Sequence, residues 1–289
     1  MRRDLRYRLE ADLLEAVFGL FRLLPIDAAS WLGGWLGRTI GPRTRAHRTA
    51  SRNLASAMPE LSEDEVHATL MAMWDNLGRV TGEYPHLDEL LAGGARTELV
   101  GAEHLHAAAV AGVPVAFFSG HFGNWEILSS APSRNGIETV QIYRAANNPF
   151  ADRVIEQMRR PVGGRRVRKG ARGAREMLAA IRGGQSLALL MDQKMNDGIP
   201  ATFFGRPAMT STGLVDAALR YDMPVIAARV ERLGGAHFRV VIEPPVKLPQ
   251  SGDRQADIAA GVAWINQKLE GWIRSAPGLW FWVHHRWAD

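Results

Sequence analysis

Residues 118–126 read Phe-Ser-Gly-His-Phe-Gly-Asn-Trp-Glu, and within them His121 and Glu126 are the pair equipped to move a proton. A neutral imidazole takes a proton from a hydroxyl, and a carboxylate held against its other nitrogen fixes the tautomer and steadies the imidazolium that forms. Residues five apart on an ideal helix diverge by roughly 140°, so the two side chains do not share a helical face and the turn through Gly123 has to bring them together. Asn124 suits an N-cap, which puts Glu126 in a first helical turn where the helix dipole favours its ionised form. A loop histidine also serves as an ordinary surface or hydrogen-bonding residue. Here two glycines, an Asn and a Trp surround the one imidazole, and glycine is disfavoured unless the backbone must bend or be approached closely.

The elements that would position this pair are legible around it. An apolar, β-rich run from Val113 to Phe118 delivers the histidine to a strand-to-helix junction, and a helix begins near Asn124. Further on, Asp192 and Gln193 close another apolar strand. Carboxyl ends of strands in open α/β sheets face the ligand crevice, so Asp192 is expected in the same crevice as His121, unless it caps the Asp-Gln-Lys-Met-Asn-Asp-Gly loop. Phe203, Phe204, Gly205, Arg206 and Pro207 combine an apolar wall with a cation.

The His121–Glu126 stretch resembles the HxxxxE form of the HxxxxD/E motif of the lysophospholipid acyltransferase superfamily. Together with Ile-Tyr-Arg-Ala-Ala-Asn-Asn-Pro from Ile142, Met-Asp-Gln from Met191, Phe-Phe-Gly-Arg-Pro-Ala from Phe203 and the Trp-rich ending, it is similar in particular to the lipid A biosynthesis acyltransferases, the late lauroyl and myristoyl transferases. The resemblance spans most of the chain. It implies a single-domain, glycerol-phosphate-acyltransferase-like α/β fold with a largely parallel sheet, a membrane-associating segment over residues 1–40 and a catalytic domain over 41–289.

The same resemblance implies transfer of a fatty acyl chain from acyl carrier protein, or from acyl-CoA, to a hydroxyl of a lipid A-type phosphoglycolipid at the cytoplasmic face of a bacterial inner membrane, with no cofactor or metal. His121 is then the base, oriented by Glu126, and position carries the family's arginine and aspartate onto Arg159 and Asp192, with Arg160 adjacent to the first. Backbone amides near Gly123, or the Arg159 guanidinium, are candidate oxyanion donors. Gly123, Asn124, Arg144, Asn147, Gln193 and Arg206 are the candidate substrate contacts, guanidinium being suited to bidentate phosphate binding. Ala145 stands where the family's proline is usual, and the N-terminal hydrophobic segment is weak. A relative acylating a mannosylated phosphoinositide would share the same base and fold.

Composition narrows the alternatives. With no cysteine among 289 residues there is no disulfide framework, thiolate nucleophile or Cys-based metal site. The 35 Lys and Arg exceed the 30 Asp and Glu, a basic balance that suits an anionic partner, whether nucleic acid or lipid. Between Met158 and Arg175 lie eight basic residues and no acid. A solvated loop, phosphate-bearing lipid, an acidic carrier protein and nucleic acid all fit such a run. The absence of aromatic residues from it argues against single-strand binding.

The remaining elements follow from periodicity. Apolar residues from Leu9 to Leu24 form a helical stripe ended by Pro25, interrupted by Asp12, Glu15 and Arg22. A core helix, an interfacial anchor and a degenerate span are the three roles open to it. Trp31 and Trp35 precede a basic run from Arg43 to Arg52, which suits either a membrane interface or a packed tryptophan pair. Ser62 and Glu65 form a capping box. After a loop at Gly93 and Gly94, strands are expected at Thr97 to Val100, Val113 to Phe118, Thr139 to Tyr143, Ser186 to Met191, Pro224 to Val230 and Phe238 to Ile242, with helices between most of them, predicting a largely parallel sheet. Helix periodicity continues from Ile258 to Ile273. The tail from Leu279 to Trp287 reads as packed structure, its adjacent His284 and His285 facing opposite ways and so unable to share a metal.

No Gly-x-Ser-x-Gly elbow, dinucleotide fingerprint, phosphate-binding loop or His-Glu-x-x-His motif occurs. Direct transfer by a general base is the simplest chemistry left. The rival from another class is a membrane-binding protein that uses its basic and apolar N-terminal surfaces without catalysis.

Overall fold

The computed structural model describes residues 2–92 and 94–287; Gly93 of the anticipated loop lies outside them. Helices open the chain: α1 (Arg2–Arg22), α2 (Ile26–Ile40), α3 (Arg45–Ala57), α4 (Glu63–Glu83) and the short α5 (Leu87–Leu91). Then come β1 (Thr97–Val100), α6 (Ala102–Ala111), β2 (Ala116–Ser119), α7 (Trp125–Arg134), β3 (Thr139–Tyr143), α8 (Pro149–Met158), β4 (Arg165–Arg168), α9 (Ala171–Arg182) and β5 (Ser186–Leu190). A hairpin of β6 (Ile199–Phe203) and β7 (Arg206–Thr210), then α10 (Gly213–Arg220), β8 (Val225–Gly234), β9 (His237–Ile242) and α11 (Arg254–Ser275) complete it.

The main sheet has seven strands in the order β1-β9-β8-β2-β5-β3-β4. All its pairings are parallel except β8 with β9. β2 is the middle strand and all four of its residues are buried, as a strand covered on both faces requires. Alternation along it sends Phe117 to one core and Phe118 to the other. Phe118 stacks on Trp272 and meets Trp264 edge-on, which fastens α11 to the sheet centre. Losing a ring so enclosed costs about 3–5 kcal/mol.

Three strands, β4, β6 and β7, arise where periodicity gave no sign of them. β4 lies inside the arginine run, and it works as an edge strand because charged side chains deter further pairing. The β6–β7 hairpin turns at Phe204 and Gly205, with Phe204 at φ 52°. The charge of the arginine run is partly neutralised: Arg166 pairs with Glu156 at 2.7 Å, Arg168 with Asp152 at 2.9 Å and Arg172 with Glu176 at 2.8 Å. These acids come from α8 and α9, so charge counted along one stretch overstates the field that partners from other elements remove.

The N-terminal helices pack on α4 and α8. Gly33 and Gly78 let α2 and α4 approach until a Cβ on Gly33 would lie 2.2 Å from the Gly78 carbonyl oxygen. The apolar stripe of α1 divides between two faces. Phe18 and Phe21 point inward, Phe18 stacking on Tyr84 at 5.8 Å, whereas Leu13 and Leu20 are each 65% exposed. Trp31 and Trp35 are exposed as well, so the packed-pair alternative does not hold for them. Among the described residues no helix is long and apolar enough to cross a membrane.

Candidate active site

His121 lies just beyond β2, after Gly120, at the carboxyl end of the central strand. The turn after it is fixed from several sides. Gly123 has φ +57°, and a Cβ there would meet the Val230 carbonyl oxygen at 2.8 Å, so only glycine fits. Its amide donates to the Leu279 carbonyl at 3.0 Å and its carbonyl accepts from Asn76 Nδ2 at 3.1 Å. The Phe281 amide donates to the His121 carbonyl at 3.2 Å. Asn124 caps α7, its side chain accepting from the Glu126 amide at 3.3 Å and donating to the buried Glu83 at 2.8 Å. Glu83 also accepts from Ser30 and Arg232.

The carboxylate that meets the imidazole is Asp192, just beyond β5. His121 Nδ1 lies 2.9 Å from Asp192 Oδ1, and the His121 amide donates to Oδ2 at 2.9 Å. Trp280 Nε1 adds a third bond to Oδ2 at 2.8 Å. Burial alone would raise the Asp192 carboxyl, but the charge of His121 and the hydrogen bonds from His121 and Trp280 outweigh it and hold the group well below the usual carboxylate range. An ionised carboxylate only accepts, so Nδ1 carries a hydrogen and the lone pair of a neutral His121 sits on Nε2.

Glu126 has other partners, which corrects the expectation that it orients His121. It lies in the first turn of α7, as anticipated, yet its side chain turns away from the histidine. Arg159 Nε donates to both its oxygens at 3.0 Å and Nη2 to Oε1 at 2.5 Å, while the Tyr84 hydroxyl donates to Oε1 at 2.5 Å and Trp125 Nε1 at 3.1 Å. Burial first, then the Glu126 carboxylate, push the Tyr84 phenol well above its ordinary value, so it stays a donor. Burial opposes the charge on Arg159, but Glu126 and Tyr84 more than offset it and raise that group. Trp125 links the two centres: its indole bonds Glu126 while its ring meets His121 edge-on at 5.2 Å.

Beside Trp125 a cavity runs between the sheet and α7, walled by Phe117, Leu128, Pro132, Ile142, Val162 and Leu190, with the Glu126–Arg159 pair in its side. It is mainly apolar and starts next to the histidine.

Gln193 joins His121 to a residue that sequence reasoning left in the packed tail. Its Nε2 lies 3.2 Å from His121 Nε2 and 2.8 Å from His284 Nε2. The rings of His121 and His284 are 5.6 Å apart, and Phe281 packs on both. The signal was present in the tail: the alternation that separates His284 from His285 also sends one of them inward. Tyr84, Trp125 and Trp280 were likewise not anticipated as parts of this site.

The other sequence candidates scatter. Arg144 is exposed just beyond β3, near enough to help depress His284. Asn147 is exposed on the same loop. Arg206 lies over the Trp287 ring at 5.3 Å, a packing contact between hairpin and tail. The Gly123 amide, a candidate oxyanion donor, is occupied by Leu279, and the Arg159 guanidinium is committed to Glu126. A family model described as bacterial lipid A biosynthesis acyltransferase matches residues 3–289. A search of curated proteins finds no match.

Proposed function

Because the chain belongs to the bacterial lipid A biosynthesis acyltransferase family, we propose that His121 is the general base of an O-acyl transfer from a thioester donor to a hydroxyl of a lipid A-type phosphoglycolipid, with Asp192 as its carboxylate partner. The observation that carries this is the 2.9 Å contact between His121 Nδ1 and a buried Asp192 that accepts two further hydrogen bonds. His121 Nε2 takes the acceptor proton as the oxygen attacks the thioester carbonyl. The carbon–oxygen bond forms, the carbon–sulfur bond breaks, and the imidazolium returns its proton to the departing thiolate. Thiols ionise near pH 8.5 or so, far below an alcohol, so departure needs little acid assistance and one base suffices.

The apolar cavity beside Trp125 is where the acyl chain would lie, with its carbonyl at the Trp125 end next to His121. In this assignment Glu126 and Arg159 form the cavity wall and fix Trp125. Acyl carrier protein is the proposed donor, with acyl-CoA the alternative, and a mannosylated phosphoinositide is the alternative acceptor. The enzyme would work on the cytoplasmic face of the inner membrane, resting the outward leucines of α1 and Trp31, Trp35 and Ile40 of α2 on the bilayer.

The test is transfer of radiolabelled acyl groups from acyl carrier protein to a detergent-dispersed lipid A precursor. Wild type should transfer, and His121→Ala and Asp192→Asn should lose turnover while keeping their circular dichroism and vesicle binding. A wild type that binds anionic vesicles but transfers from neither acyl carrier protein nor acyl-CoA, to either acceptor, would overturn the enzyme assignment in favour of a membrane-binding protein without catalysis.

A further inference from the structure

We propose that the Ser119 hydroxyl is a catalytic hydrogen-bond donor in the acyl cavity, bonding the carbonyl oxygen of the bound thioester and the oxyanion which that oxygen becomes. This rests on the assignment of His121 as the base and of the cavity beside Trp125 to the acyl chain.

An orphaned hydroxyl carries it. Ser119 ends β2 and is only 5% exposed, yet its Oγ has no hydrogen-bond partner among the described residues. Burying a hydroxyl unpaired is unfavourable, so a fold that keeps one points to a partner from outside the chain. Ser119 lines the cavity, and the other polar side chains of that wall are all engaged. Glu126 and Arg159 bind one another, and Arg166 donates to Glu156. Ser129 donates to the Trp125 carbonyl at 3.0 Å, Gln141 donates to the Ser129 carbonyl at 3.4 Å, and the Tyr143 hydroxyl accepts from Arg168 at 3.2 Å. A saturated acyl chain brings one good acceptor into such a cavity, its thioester carbonyl oxygen. Donor and acceptor therefore select one another.

Alternation places this hydroxyl on the same side of the sheet as the base. Phe117 packs in the core under α7, whereas Phe118 faces α11. A Cβ on Gly120 would point the way Phe118 does, meeting Leu269 of α11 at 3.1 Å and Asp192 at 3.2 Å. Ser119 thus shares the α7 side with Phe117, and His121 returns to it, its ring meeting Trp125 of the cavity wall edge-on. The backbone donors of the turn are already committed. The His121 amide bonds Asp192, that of Phe122 the Gly120 carbonyl at 2.8 Å, and that of Gly123 the Leu279 carbonyl. As the acceptor oxygen attacks, the new carbon–oxygen bond forms and the carbonyl π pair moves onto the carbonyl oxygen. Ser119 stabilises that charge by its hydrogen bond and keeps its proton; the pair returns to the carbonyl as the carbon–sulfur bond breaks.

The experiment compares wild type with Ser119→Ala, using lauroyl thioesters of acyl carrier protein and of coenzyme A labelled with 13C at the carbonyl. Three things are read: transfer kinetics, the infrared carbonyl band of the bound thioester, and urea denaturation. Ser119→Ala should lower kcat by about 100-fold with a much smaller change in KM. In wild type the band should move to lower frequency on binding, because a hydrogen bond weakens the carbonyl bond. In Ser119→Ala it should stay where the free thioester absorbs. Since no group of the protein pairs with the hydroxyl, Ser119→Ala should unfold at the same urea concentration as wild type or a higher one. An unchanged kcat, a band shifted equally in both proteins, or a Ser119→Ala chain that is destabilised or unfolded overturns the proposal, the last by showing that the hydroxyl serves the fold. A loss confined to 3-hydroxyacyl donors overturns it too, since Ser119 would then select the chain. A wild type that binds neither thioester overturns both this and the acyl cavity. Absence of transfer in wild type, or its survival in His121→Ala, would instead sink the base assignment, and the carbonyl band would still decide what Ser119 does.

Discussion

His121 and Asp192 meet twice, through the imidazole Nδ1 on Oδ1 and through the backbone amide on Oδ2, both at 2.9 Å. The second contact fixes where the carboxylate stands relative to the histidine backbone, so ring and carboxylate form one rigid unit.

That unit predicts a sharp difference between two conservative substitutions. Asp192→Asn keeps the shape but removes the charge and can donate to Nδ1, selecting the wrong tautomer. Its kcat/KM should fall by about 10³-fold or more. Glu126→Gln leaves the His121–Asp192 contact intact and should lose less in transfer. Equal losses in the two variants would count against Asp192 as the principal partner.

The Glu126–Arg159 pair should register in stability. Glu126 is buried and Arg159 nearly so, and removing one member of such a pair leaves an uncompensated charge, at about 3–5 kcal/mol. Urea denaturation of Glu126→Ala or Arg159→Ala should show a loss of this order. Glu126→Gln combined with Arg159→Met should be less destabilised than the sum of the singles, since neither residual charge remains.

His284 gives stability a pH dependence of definite sign. Its folded value of about 4 lies below the ordinary 6.5, so between these limits the unfolded chain binds a proton that the folded chain does not. The contribution is present above about pH 6.5 and is lost as pH falls toward about 4, reaching at most about 3 kcal/mol. Wild type should lose stability across that window, and His284→Gln should lose less. Parallel curves for the two proteins would show that His284 is not the group responsible.

Leu13 and Leu20 provide a test of the outward face of α1. Because both are exposed, Leu13→Glu with Leu20→Glu should leave the melting temperature close to that of wild type. Burying a leucine side chain is worth about 1.5–3 kcal/mol, so sedimentation with anionic vesicles should weaken by more than about tenfold. Phe18→Ala on the inward face should do the opposite, lowering stability with little effect on vesicle binding.

What the sequence determined by itself is local. The Ser62–Glu65 capping box, the Asn124 cap and the limits of β1 and β3 agree with the structure because each depends on hydrogen bonds and side-chain alternation within a few residues. The largely parallel sheet follows from the alternation of strands and helices. β4 escaped because an edge strand built of arginines lacks the apolar alternation that marks a strand, and its pairing with β3 supplies what its own side chains do not.

Which carboxylate reaches His121 was decided only by tertiary structure. Glu126 is five residues away and Asp192 seventy-one, yet sheet order sets β5 directly beside β2, so their carboxyl ends adjoin and Asp192 arrives at the imidazole. The first turn of α7 directs Glu126 toward Tyr84 and Arg159 instead. The tail is a similar case: Trp280 and His284 enter the site because the chain end pairs with the turn at 121–123. Side-chain direction at a strand end depends on which strands and loops lie next to it, and those neighbours are chosen by packing across the whole molecule rather than by distance along the chain.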